Sequence, residues 1–387
     1  MKIAFATLDK ALDIENRSGR QYYTARSLVT QGIHVSYIDE LQDLNSLFYK
    51  GKAFLNNRVL RKFLPLPRYL WRKEPTVLRG YAAQVSDRLT SSHDLMLTDT
   101  VYPLSYLTCE QPVVIWTDAT FAGMVDFYPG EKDLSQSSLE KGHKAEKAAL
   151  DKVHLAIFSS AWAAQTAVEH YDIDPNKVHV VPFGANLEIR PQRTLSDIEN
   201  LVDQRRDKDL NLLFIGVDWV RKGGEMALDI VDHLNTLGVK AALSILGCKP
   251  KIRADQRDYV NVLGYIPKNT PRGMKEIKRL LSTSHFLLLP SRADCAPRAL
   301  CEANAFGVPA LTTNVGGIPS IIRDGVNGKL FSVDAKAEDY SLNILKIINN
   351  EDEYERLALE SFKEYRSRLN WGVAGAQVKH LCEELLA

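Results

Sequence analysis

Short apolar runs alternate with helix-forming segments along nearly the whole chain, and this alternation limits what it can fold into. Lys2–Thr7, Val35–Ile38, Leu95–Leu97, Val113–Trp116, Leu155–Ser159 and Val178–Val181 read as strands in the first half. Leu212–Ile215, Ala242–Leu246, Val262–Leu263, Phe286–Leu289 and Ala310–Thr312 continue the series. Between them, helical patterns fall at Gln21–Gln31, Lys141–Asp151, Trp162–His170, Gly224–Leu237, Gly273–Leu281 and Arg298–Ala305. An order of this kind implies parallel sheets covered by helices on both faces, an α/β fold. No period of about 20–50 residues repeats, which excludes solenoids and propellers.

A polar stretch, Arg190–Leu210, separates two halves that begin alike. Ile3–Thr7 leads to Gly19 in the first, and Leu212–Ile215 leads to Gly216 in the second. The expected architecture is two Rossmann-like, doubly wound parallel-sheet domains facing a cleft, residues 1–190 and 191–365. The tail, 366–387, is expected to be a helix. Its Val378, Leu381, Cys382 and Leu385 recur at helical spacing and must cover something apolar.

Charge is close to balanced, 49 Lys and Arg against 48 Asp and Glu, so bulk electrostatics offer nothing to a nucleic acid. The five cysteines are scattered and show no CxxC spacing, which suits a reducing cytoplasm rather than a disulfide framework or zinc site. The start, MKIAFATLDKALD, is too quickly charged for a signal peptide, and no apolar run nears the roughly 20 residues of a membrane span. The expected location is cytoplasmic. Residues 50–80 are the exception to the balance: basic residues there outnumber the single acid, Glu74, and are interleaved with Phe54, Leu60, Phe63, Leu64, Leu66, Tyr69, Leu70 and Trp71. Such a segment either lies peripherally on the anionic inner face of a membrane or forms a solvated helix with a core-facing stripe.

The most specific chemistry lies between Phe286 and Ile322. An apolar strand meets Pro290-Ser291, then the acid Asp294; a helix-forming segment carries Glu302; Gly307-Val308-Pro309 ends it, and a further strand runs into Gly316-Gly317. Both acids therefore stand at the carboxyl edge of a sheet, where open parallel sheets bind ligands. Pro297 suits a first helical position, leaving free amides near Arg298 and Ala299 for phosphate. In the second half's opening loop, Arg221 and Lys222 stand between Gly216 and Gly223-Gly224, a fork and a point charge suited to a diphosphate.

These motifs resemble the retaining glycosyltransferases of family 4, which have the GT-B fold. The likeness rests on Asp294-x7-Glu302 with Pro290-Ser291 before it and Gly307-Val308-Pro309 and Gly316-Gly317 after it, and on Gly19, Phe158-Ser159-Ser160-Ala161-Trp162, Val180-Val181-Pro182-Phe183-Gly184 and Trp371. The resemblance implies transfer of a hexose-type sugar from a nucleoside diphosphate sugar to an acceptor hydroxyl, with no metal or other cofactor. It implies that Arg221 and Lys222 neutralise the diphosphate and that Glu302 accepts from the ribose. Asp294 would hold donor-sugar hydroxyls, and Gly216, Ala296, Pro297, Arg298 and Ala299 would line the donor. Tyr265 and Ile266, beside Gly264, would meet the base through their backbone. On the acceptor side it points to Gly19, Arg20, Thr117 and Asp118, near Phe121-Ala122-Gly123, and it implies that the helix of 366–387, around Trp371, crosses back onto the first domain.

The chain departs from the family pattern in places. Asp294 stands for the usual Glu, Ala296-Pro297 for a glycine, Thr117 for the histidine of a His-Asp pair, and Val217 for an arginine. Asp118 reads equally as an acceptor-orienting group or as a turn cap. A glycosidase pair would face across the scissile bond, which eight positions along one loop and helix do not suit. A Walker loop and a full G-x-G-x-x-G are absent, and His143, His154, His170 and His285 lack metal spacing. An idle sugar-nucleotide-binding relative and a sugar-nucleotide isomerase of the same architecture are the competing readings.

Overall fold

The computed structural model describes residues 1–188, 192–206 and 208–387. It divides into two compact units, one of residues 1–181 with 375–387, the other of 182–374. The sequence reading sets its boundaries at 190/191, which lies outside the described residues, and at 365/366. The units instead part just after the first unit's last strand and within the last helix.

The first unit contains β1 (Lys2–Ala6), α1 (Arg20–Thr30), β2 (His34–Ile38), α2 (Leu47–Phe54), α3 (Pro75–Arg88), β3 (Leu95–Thr98), β4 (Val113–Thr117), α4 (Phe121–Met124), α5 (Gln136–Leu150), β5 (Leu155–Phe158), α6 (Ala161–Tyr171) and β6 (Val178–Val180). Its six strands run in the order β2-β1-β3-β4-β5-β6, every pairing parallel. β3, β4 and β5 are buried along their whole length, as strands covered on both faces must be.

The second unit contains α7 (Leu195–Arg206), β7 (Leu210–Ile215), α8 (Gly224–Thr236), β8 (Ala241–Leu246), β9 (Val260–Gly264), α9 (Pro271–Thr283), β10 (Phe286–Leu289), α10 (Arg298–Asn304), β11 (Ala310–Thr313), β12 (Gly328–Phe331), α11 (Ala337–Ile348) and α12 (Glu351–Arg368). Its sheet, also parallel, is ordered β12-β11-β10-β7-β8-β9. The final helix, α13 (Trp371–Leu386), begins in this unit and ends in the other. Within the first unit it packs on α1. A Cβ on Gly375 would stand 2.6 Å from the Ser27 carbonyl oxygen, Val378 and Cys382 are fully buried, and Lys379 donates to the Gln31 carbonyl at 3.0 Å.

The polar stretch around residue 200 is a helix rather than a separator. Ile198 and Val202 of α7 enter the second core, and the buried Arg205 guanidinium donates to the carbonyls of Leu281, Ser282, Phe306 and Gly307. A fully hydrogen-bonded guanidinium can be buried where an unpaired one cannot. Arg190, Pro191 and Asp207 of that stretch lie outside the described residues.

Candidate functional site

In the second sheet the chain moves outward from β7 to β8 and β9, then returns past β7 to β10. The loops leaving β7 and β10 thus flank a topological switch point, where open α/β sheets take their ligands. The first loop brings Arg221 and Lys222, the second Asp294. Lys222 and Asp294 are only 8% and 5% exposed, and the ammonium donates directly to Asp294 Oδ2. Arg221 Nη1 lies 3.5 Å from the same oxygen and donates to the Ala293 carbonyl at 2.7 Å, while its Nε donates to Asp218 at 3.3 Å. The Arg292 amide closes the two loops on one another, donating to the Arg221 carbonyl at 2.8 Å. A third loop, after β11, joins them where the Gly317 amide donates to the Asp294 carbonyl at 3.0 Å.

This approach of loops depends on Gly223. Its φ is +76°, and a Cβ there would sit 1.9 Å from the Pro290 carbonyl oxygen. At the end of β8, Gly247 has φ +106° and presses on Gly216, whose carbonyl oxygen would be 2.7 Å from an added Cβ. The carboxyl ends of β7, β8 and β9 therefore present backbone at Gly216, Gly247 and Gly264 rather than side chains.

The local charge is a surplus of cations. Burial holds the Lys222 pKa below the ordinary lysine value; Asp294 opposes that shift, while Arg221 and Arg298 add to it. Arg298 Nε is buried without a hydrogen-bond partner among the described residues. Two cationic side chains thus meet one buried carboxylate, with the Arg298 charge acting on Lys222, and a cation-rich, donor-rich spot of this kind suits an anion.

Glu302 is also buried, on α10, but its partner is Lys268, which donates to Oε1 and also to the Asn186 carbonyl at 3.3 Å. Sequence reasoning did not single out Lys268, Asp218 or Gly247. Tyr265 and Ile266 follow β9, two strands from β7, with the Tyr265 ring largely exposed. Ala296 and Pro297 are buried and Ala299 half-buried. Pro297 is the cap of α10 rather than its first helical residue, because its ψ of 95° is extended.

The first sheet has its own switch point, between β1 and β3. Arg20, the first residue of α1 after its cap Gly19, is buried and forms two ion pairs of 2.7 Å, with Asp99 after β3 and with Asp118 after β4. Burial pulls the Arg20 pKa down, but Asp118 and Asp99 outweigh it and hold the guanidinium above the ordinary arginine value. Thr117, the last residue of β4, is buried beside Asp118. Buried polar atoms here lack partners among the described residues: Asp99 Oδ1, Arg20 Nε, both amide atoms of Gln21, Thr7 Oγ1 and Ser159 Oγ. Thr7, Asp99 and Ser159 each directly follow a strand, β1, β3 and β5, so they share the carboxyl edge of the sheet. Unpaired buried groups are costly and rare, so a set of them marks a place that a polar ligand completes. Asp99 and Gln21 were missed in the sequence, although Asp99 stands directly after a strand as Asp118 does.

Residues 197–364 match the model of the glycosyl transferases group 1 family. That match lies within the second unit, which is similar to the family. The group 1 match begins within α7 and ends within α12, so it encloses Arg221, Lys222, Asp294, Lys268, Arg298 and Glu302. Among relatives, the chain is similar to D-inositol 3-phosphate glycosyltransferase of Corynebacterium glutamicum, 22% identical over 289 residues, which cover 71% of this chain and 67% of that protein. It spans between 42% and 67% of the lengths of the first curated relatives it matches. Among solved structures, sucrose-phosphate synthase from Thermosynechococcus elongatus is similar with a TM-score of 0.67 at 16% identity, covering 99% of this chain and 98% of that one. Anabaena HepE in complex with UDP-glucose is similar with a TM-score of 0.62 at 16% identity, covering 99% and 100%. At these identities the structural likeness carries the fold, which is GT-B.

Proposed function

We propose that the chain is a retaining glycosyltransferase that moves a hexose-type sugar from a UDP-sugar to an acceptor hydroxyl. The observation that carries this reading is the convergence of Arg221 and Lys222 on Asp294 at the switch point of the second sheet, with the Arg298 charge close enough to act on Lys222. As the glycosidic bond breaks toward an oxocarbenium-like state, negative charge grows on the departing diphosphate. Fixed cations in a buried site stabilise that charge without having to reorganise. They supply the countercharge that a metal ion would otherwise give, so the reading is metal-independent.

On this reading Asp294 exchanges part of its bond with Lys222 for donor-sugar hydroxyls when the diphosphate arrives. Glu302, held in place by Lys268, accepts from the ribose hydroxyls. Gly216, Ala296, Pro297 and Ala299 offer backbone to the diphosphate and sugar, and Tyr265 and Ile266 meet the base through backbone groups. The first unit takes the acceptor at Gly19, Arg20, Thr117 and Asp118, with Asp99 and Gln21 added from the structure. The second Asp99 oxygen, Oδ1, and the Gln21 amide, which lack partners among the described residues, are suited to hydroxyl groups. The similarity of residues 197–364 to group 1 supports sugar transfer, and the UDP-glucose held by HepE supports the choice of base.

A second reading draws on one observation: with Lys222 already paired to Asp294, the pocket could persist as an idle binding site. Mass-spectrometric screening of UDP-, GDP- and ADP-sugars for binding, followed by a turnover assay with a panel of hydroxyl acceptors, separates the two. Release of UDP on addition of an acceptor, with a glycosylated product of retained anomeric configuration, is the expected result. Donor binding with neither transfer nor hydrolysis would favour the idle site.

A further inference from the structure

On α2 the usual arrangement of a surface helix is inverted. Ala53 and the preceding Ser46 are buried, whereas Leu47 is 86%, Phe48 76% and Phe54 64% exposed, with Leu55 just beyond them also exposed. At about 100° per residue these four fall within roughly a third of the helix circumference, opposite Ala53. The apolar stripe that an amphipathic helix ordinarily turns to its core here faces water. The chain continues as a short π-helix, Leu55–Val59, and a 3-10 turn, Leu60–Lys62, after which Phe63 and Leu64 are again exposed, Phe63 to 79%.

This surface is pinned, so the exposure belongs to a fixed conformation. Asn57 exchanges two hydrogen bonds with the Tyr69 backbone, of 2.8 and 2.9 Å, and Asn56 donates to the Pro67 carbonyl at 2.8 Å. The charge of the run has one sign. Lys50, Lys52, Arg58, Arg61 and Lys62 lie between Leu47 and Leu64, and no acid does. By the same helical spacing Lys50 and Lys52 stand on either flank of the apolar face. Lys50 reaches Asp43 at 2.8 Å and remains 41% exposed. The whole chain carries a formal charge of only +1, so this cationic strip is segregated rather than general.

Large exposed apolar side chains bordered by cations form a surface with two requirements: a medium that accepts phenyl rings and an array of negative charge at the rim. The interface of an anionic bilayer meets both. We propose that the face built from Leu47, Phe48, Phe54, Leu55, Phe63 and Leu64 docks on an anionic lipid surface. Phenyl rings enter the headgroup boundary while Lys50, Lys52, Arg58, Arg61 and Lys62 meet lipid phosphates. The attachment is peripheral, since among the described residues no helix is long and apolar enough to cross a membrane.

The test is flotation of the full chain with vesicles of phosphatidylcholine containing about one third phosphatidylglycerol, at low and high salt, beside vesicles of phosphatidylcholine alone. The expected result is binding to the anionic vesicles that weakens with salt, with little binding to the neutral ones. The double substitution Phe48→Ser and Phe54→Ser should weaken it by at least about tenfold, as should Lys52→Glu with Lys62→Glu. Because both phenylalanines are exposed, the melting temperature should hold, which separates lost docking from lost folding. No flotation with anionic vesicles at low salt would overturn the proposal, as would undiminished binding of the Phe48→Ser, Phe54→Ser chain. A wild-type dimer that this variant dissociates, without vesicle binding, would assign the face to a second copy and equally overturn it.

Discussion

The Lys222 ammonium and the Asp294 carboxylate, 72 positions apart in the chain, are joined directly at the point where the second sheet reverses its strand order. Breaking a buried pair costs roughly 3–5 kcal/mol when the survivor is left uncompensated, but Arg221 stays 3.5 Å from the Asp294 oxygen. Lys222→Ala is therefore expected to lose less stability than that range, while turnover with UDP-sugar falls by about 10²–10³-fold. Urea melts and steady-state rates on one preparation check this. Equal proportional losses in both would make the pair a structural fixture and remove it from the reaction.

Glu302 is predicted to read the ribose. Wild-type chain should prefer a UDP-sugar over its 2′-deoxy counterpart, and Glu302→Gln should reduce that preference by about tenfold while leaving the fold intact. Lys268→Ala should move it the same way, because Lys268 holds the carboxylate. A preference unchanged in both variants would place the ribose elsewhere.

In the first unit, Arg20→Met leaves Asp99 and Asp118 facing each other and is expected to destabilise the chain by roughly 3–5 kcal/mol. Asp99→Asn keeps the shape and removes one charge. Its expected effect is a higher KM for the acceptor with unchanged slow hydrolysis of the donor, measured as UDP release with and without acceptor. A rise in donor KM instead would contradict the division of labour between the units.

His285 predicts a pH dependence of stability. Its Nδ1 accepts from the Asn211 amide at 3.0 Å and its Nε2 donates to the Arg205 carbonyl at 2.9 Å, so the ring is held neutral. Burial lowers its pKa from the ordinary 6.5 to about 4. As pH falls the unfolded chain takes up the proton first, so stability is fully present above about pH 6.5 and drains away toward pH 4, by roughly 3 kcal/mol in all. Denaturant melts at intervals across that window should show the decline, and His285→Gln, though less stable at neutral pH, should show a shallower one.

The alternation of strands and helices was legible because a buried parallel strand needs a near-continuous apolar run, and most of these runs are marked by glycine, proline or polar stops. β12 was missed for the same reason: Gly328-Lys329-Leu330-Phe331 is too short and mixed to stand out. α7 was read as a separator because its charge is dense. Only its partners show why Arg205 can be buried: four carbonyls from distant turns supply what the local sequence does not. Arg221, Lys222 and Asp294 could be found from the residues, since each stands in the loop after a strand. The Lys268–Glu302 pair could not, because nothing near Lys268 signals where its ammonium reaches. Pro297 obeyed proline geometry but took the capping place one residue earlier, which changes which amides are free.

Residues 375–387 complete the first unit although nearly two hundred residues of the other unit, 182–374, intervene. During synthesis, the surface of α1 around Ser27 and Gln31 must wait for Gly375, Val378, Lys379 and Cys382 to leave the ribosome. The inserted unit is contiguous and meets no such delay. A nascent chain stalled before residue 375 should therefore resist protease in its later half while its earlier half stays open to cleavage, an order of maturation opposite to the order of translation.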